Sequence, residues 1–76
     1  MTHVIREFNK DNHEILAVFG YGIRDSAAML DRVVAAHAVR GEKQYPIRGY
    51  DAYISGWVFF GHNNEYAGYA SLEVAH

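Results

Sequence analysis

The sequence predicts an α+β fold, a four-stranded antiparallel sheet with one helix packed on one face, in the order β-β-α-β-β. Three observations carry that reading. Two strand-length runs near the N-terminus flank a cluster of turn residues, one stretch in the middle has an apolar stripe at helical spacing, and the C-terminal third alternates cleanly as two strands that agree on their inner face.

The first pair of strands comes from residues 2–8 and Glu14–Phe19. Between them Asn9-Lys10-Asp11-Asn12 supplies turn-forming residues, so the two runs read as a hairpin. The second run, Glu14-Ile15-Leu16-Ala17-Val18-Phe19, is apolar on both parities, which suits a strand covered on both faces. Arg6 and Glu7 suit a more exposed neighbour. The expectation is a central second strand and an edge first strand.

Gly20-Tyr21-Gly22 breaks that run, and Asp25 or Ser26 is a suitable N-cap for a helix over about residues 26 to 40. Gly41 falls where a helix commonly ends in a left-handed residue. Ala27, Leu30, Val33, Val34 and His37 share one side of the helical wheel, with Asp31, Arg32 and Ala35 opposite. One stripe means one buried face. The polar stretch from Glu42 to Gly49, which holds the lone proline Pro46, reads as a connection.

The last third forms a second hairpin around a three-residue loop, His62-Asn63-Asn64, in which an Asn takes the left-handed conformation. A loop of that length sets Ile54 opposite Leu72, Gly56 opposite Ala70, Trp57 opposite Tyr69 and Val58 opposite Gly68. The even positions, Ala52, Ile54, Gly56, Val58, Phe60, Gly68, Ala70, Leu72 and Val74, then form a core face. Odd positions Asp51, Tyr53, Ser55, Trp57, Phe59, Tyr69, Ser71 and Glu73 mix large rings with acids and hydroxyls, which no dry core tolerates.

Composition bounds what such a chain does. Seventy-six residues support one domain, residues 1–76, with a small core that gains from a second subunit. Half of the residues are hydrophobic and 14% aromatic, outside the range of disordered chains. No cysteine is present, so disulfides and thiolate zinc sites are excluded. No signal-peptide stretch and no membrane-length apolar run occurs, and a cytoplasmic protein is expected. Net charge is −2, unevenly spread: all seven Lys and Arg precede residue 49, and the remainder holds Asp51, Glu65 and Glu73 alone.

Chemical motifs are sparse. His3, His13, His37, His62 and His76 lack the paired spacing of metal ligands, and no metal or cofactor is expected. His37 stands on the apolar stripe and reads as a core histidine, satisfied by a backbone or Tyr hydrogen bond rather than acting as a general base. Gly20-Tyr21-Gly22-Ile23-Arg24-Asp25-Ser26 lacks the third glycine of a dinucleotide fingerprint and the Lys-Ser/Thr of a phosphate loop. It reads as a strand-to-helix turn. Tyrosine hydroxyls beside Asp51, Glu65 and Glu73 lie on an open sheet without a cavity, so no catalytic residues are assigned.

The rings at Tyr53, Trp57, Phe59 and Tyr69, flanked by Asp51 and Glu73, are the expected contact surface, the alternative being a layer covered by the loop 42–49 or by the N-terminal hairpin. An open aromatic sheet resembles, in layout, RNA-binding sheet platforms. Their ribonucleoprotein motifs are absent here, and the strands bearing the rings carry no Lys or Arg to hold phosphates, so nucleic acid is not the expected partner. A protein partner with a basic surface fits better. In broad type the chain is similar to small phage or plasmid inhibitors of the anti-CRISPR and anti-restriction kind. That likeness implies a non-enzymatic module that blocks a basic surface of a larger macromolecular complex. Two other expectations stand beside it: a small enzyme or ligand-binding domain with a pocket near His37 and the 20–26 turn, and a homodimeric structural domain.

Overall fold

The computed structural model describes residues 2–20, 22–47 and 53–75, and only the backbone of Tyr53 and Ile54. Its elements run β1 (Thr2–Phe8), β2 (Glu14–Gly20), α1 (Ile23–Val39), β3 (Lys43–Pro46), β4 (Tyr53–Phe60) and β5 (Tyr66–Ala75). The α+β class and the antiparallel sheet are as the sequence predicts. The sheet has five strands rather than four, in the order β2-β1-β5-β4-β3. The additional one, β3, lies in the stretch read as a connection and pairs Gln44 with Phe59 and Tyr45 with Val58.

Strand positions in the sheet also differ from expectation. β1 is internal, paired with β2 on one side and β5 on the other, and β2 is an edge. The reason lies in β1 itself, where Val4 and Ile5 point to opposite faces and both are buried. β2 has the apolar composition of an inner strand, but Ile15, Ala17 and Phe19 are exposed.

The helix packs as its stripe predicts. Leu30 and His37 are buried, and Ala27, Met29, Val33 and Val34 rest against a core of Ile5, Phe59, Ala70 and Leu72. Each large apolar side chain withdrawn from water here contributes about 1.5–3 kcal/mol. The helix begins at Ile23, earlier than predicted, with Gly22 rather than Asp25 or Ser26 at the N-cap. At its other end Gly41 has φ +80, as expected. Gly41 N–H donates to the Ala38 carbonyl (2.9 Å) and Glu42 N–H to that of His37 (3.2 Å). This pair of reversed bonds folds Glu42 back along the last turn.

The second hairpin closes on the predicted loop. Gly61 N–H donates to Glu65 O (2.9 Å), and Asn64 is left-handed with φ 60. Beyond Phe60 and Tyr66 the register slips by one. Gly68, at φ +108, lets β5 bulge there, so Phe59 faces Gly68, Trp57 faces Ala70 and Gly56 faces Ser71. The slip reverses the predicted face of β4 from Ser55 to Phe60 while β5 keeps its own, and a second shift between Tyr53 and Ser55 returns Tyr53 to pairing with Glu73. Phe59 enters the core at 0% exposure and Trp57 packs beside it, whereas Val58 joins Tyr69 on the other side of the sheet.

Candidate functional site

Two arrangements in this frame bring chemistry together. One is a cluster around His37 at the end of the helix. Its imidazole is almost wholly buried and lies flat on Phe59, with ring centroids 3.7 Å apart and planes 2° from parallel. Nε2–H donates to Glu7 Oε2 at 2.8 Å. Nδ1 has two neighbours: Glu42 Oε1 at 3.1 Å, to which it donates when protonated, and Arg40 Nη2 at 2.9 Å, from which it accepts when bare. Arg40 Nε in turn donates to Glu42 Oε2 at 2.8 Å.

Each partner has a local cause. Glu7 sits on the helix-facing side of β1 because it shares a parity with Ile5, and the helix-end turn carries Glu42 and Arg40 to the same ring. Burial alone raises the Glu42 carboxyl, but its hydrogen bonds to Arg40 and His37, with their charge, more than offset this and hold it below 4.5. His37 is thus satisfied by the side chains of Glu7, Arg40 and Glu42 rather than by the backbone or Tyr partner that the sequence suggested. The two acids take different ring nitrogens and do not converge. Among the described residues no three His, Cys, Asp or Glu side chains are grouped to hold a metal ion.

Beside this cluster runs an open groove of about 490 Å³, bordered by Lys10, Asp11, Arg40, Glu42, Glu65 and Tyr66 among others. Its charges are mixed. Tyr66 Oη donates to Asn12 Oδ1 at 2.5 Å, tying the first hairpin turn to β5, and burial raises the tyrosine pKa above 10.0.

The second arrangement is the sheet face away from the helix. One cross-strand row there runs Phe8, Tyr69, Val58, Tyr45 over four strands. Phe8 and Tyr69 stack with centroids 4.5 Å apart, and Phe60 meets Tyr45 edge-on at 5.8 Å and Tyr66 at 6.3 Å. Tyr45 is 51% exposed. Beside the row, Ser71 Oγ donates to Glu73 Oε2 at 2.7 Å, and Arg6 lies 3.6 Å from Glu14.

The six residues expected to form one contact surface are therefore divided. Tyr69 and Glu73 lie on the helix-free face, Phe59 is in the core and Trp57 is half-buried against it. Asp51 and the side chain of Tyr53 lie outside the described residues. Phe8, Tyr45, Phe60 and Tyr66 take the place of the displaced rings. The signal that could have found them is Gly68, since a glycine inside a strand run often marks a bulge that turns the following residues over.

Comparison with protein-family models, with curated proteins and with solved structures returns no match to this chain.

Proposed function

We propose that this chain is a non-enzymatic protein-binding module that engages its partner through the helix-free face of its sheet. The observation that carries the reading is the ring row on that face, with half-exposed Tyr45 against Phe60 and, among the described residues, no helix laid over it. Tyrosine and phenylalanine anchors of this kind give large contact area at small entropy cost. The favoured partner is a protein with a basic surface, because Glu73 on this face belongs to a stretch, residues 49–76, without Lys or Arg; Arg6 and Lys43 on the neighbouring strands limit that preference. Covering such a surface on a larger complex needs no catalytic group, which makes inhibition by occlusion the natural mode of action.

The test is affinity capture from native lysate with three baits: wild type, Tyr45→Ala and Lys10→Ala. A partner recovered by wild type and Lys10→Ala but reduced at least tenfold with Tyr45→Ala supports the reading. Equal recovery by all three overturns it, provided the three melt alike.

A second reading, ligand binding beside His37, is favoured by the groove that Arg40 and Glu42 border, because those side chains also hold the imidazole. A ligand there should move the His37 ring resonances in NMR spectra and leave those of Tyr45 in place.

A further inference from the structure

β2 is the strand whose sequence and position disagree. It is apolar on both parities, as strands covered on both faces are, yet it lies at the sheet edge and among the described residues bonds to β1 alone. Its outer N–H and C=O groups are left open. The opposite edge strand, β3, is four residues long and carries Lys43 and Pro46, two devices that discourage further pairing. β2 has seven residues and no Lys, Arg or Pro, and exposes Phe19 at 61% and Ile15 at 56%.

We infer that a second copy of this chain occupies that edge. The two β2 strands pair antiparallel about a two-fold axis at Val18, joining two five-stranded sheets into one. The register follows from the strand. A pairing irregularity at Ile15 confines regular geometry to Leu16–Gly20, whose midpoint is Val18. About that midpoint Phe19 falls opposite Ala17 of the copy and Leu16 opposite Gly20, so on each face a large side chain meets a small one. Ala17 is exposed and open to the ring.

Charge agrees with this occupant. Leu16–Gly20 carries no charge, so no like charges meet along the seam. The contact is small, five residues of regular strand from each copy, at the weak and transient end of specific interfaces. Dimerisation should therefore rise with concentration across the micromolar range instead of being permanent.

Sedimentation velocity on wild type, Phe19→Lys and Tyr45→Ala, with circular dichroism on each, tests this. Wild type and Tyr45→Ala should dimerise alike, and Phe19→Lys should weaken association at least tenfold while keeping its fold. Because the chain has no cysteine, register is checked by oxidation: Val18→Cys, on the axis, should form an interchain disulfide at least tenfold faster than Ala17→Cys, whose copies sit diagonally. A wild type that stays monomeric up to millimolar concentration overturns the inference. So does a dimer that survives Phe19→Lys or that Tyr45→Ala abolishes, the latter making a second copy the occupant of the ring face.

Discussion

His37 and Phe59 lie ring on ring, 3.7 Å apart and parallel to within 2°, at the point where the end of α1 meets β4. The stack joins a polar cluster to the apolar core. Phe59 belongs to the buried set with Ile5, Leu30, Ala70 and Leu72, while the edges of the imidazole face Glu7 and Glu42. Replacing the histidine therefore takes the ring partner from Glu7, while Glu42 keeps Arg40, instead of leaving a simple cavity.

His37→Phe retains a flat ring for stacking but removes both nitrogens. Leaving a largely buried hydrogen-bonding group without its partner costs about 1–3 kcal/mol, a sizeable share of a typical folding free energy of roughly 5–15 kcal/mol. Urea unfolding should show that loss. Adding Glu7→Gln to His37→Phe should recover part of it, because the amide no longer buries an unmatched charge. If the double variant is no more stable than His37→Phe, Glu7 is not coupled to the ring.

Glu42 makes part of the stability depend on acid. Its folded-state pKa is depressed by Arg40 and His37 despite burial, so its contribution is fully present above the unfolded value of 4.5 and is lost as pH falls through the lower folded value. Glu42→Gln should be less stable than wild type at pH 7. The gap between them should shrink steadily below pH 4.5. A gap that stays constant down to the acid transition would show that the ionised carboxylate is not what stabilises this turn.

Tyr66 ties two hairpins together through Asn12, which holds a left-handed turn at φ 59. Tyr66→Phe deletes that hydrogen bond and keeps the ring against Phe60. The expected loss is about 0.5–1.5 kcal/mol. Amide exchange should quicken most at residues 9–13, since Asn9 otherwise closes the turn with its own bonds to Asp11 and His13. The raised tyrosine pKa adds a contribution present below pH 10.0 and lost above it, and the variant should lack that alkaline decline.

The helix, its buried stripe, its glycine stop and the 62–64 loop were legible because each rests on neighbours in sequence. What was not legible depends on partners far away. Nothing local says that residues 43–46 pair with β4, or that β1 outranks β2 for the inner position. The expected grouping of rings turns on Gly68: a bulge there offsets the register, and with a side-chain period of two that slip turns Ser55 to Phe60 over, while a second shift sets Tyr53 back opposite Glu73. Tyr69 and Glu73 escaped because β5 itself was read with the correct parity.

The bulge also supplies the sharpest contrast that substitution can test. With the hairpin register unbroken, Phe60 would be a core residue and Phe59 a surface one. In the structure Phe59 is wholly buried under the helix, paired with Gly68, whereas Phe60 lies on the helix-free face among Tyr45 and Tyr66. Phe59→Ala should therefore lose about 3–5 kcal/mol, the usual cost of emptying a phenylalanine site in a core, and Phe60→Ala markedly less. Gly68→Ala examines the cause directly. At φ +108 an alanine is strained, and its Cβ would run into the Phe8 carbonyl of the neighbouring strand, so this one methyl group should cost about 1–3 kcal/mol or more. Thermal melts of the three variants under one set of conditions decide it. If Phe60→Ala proves more damaging than Phe59→Ala and Gly68→Ala is harmless, the strand runs without its bulge and the ring face must be redrawn.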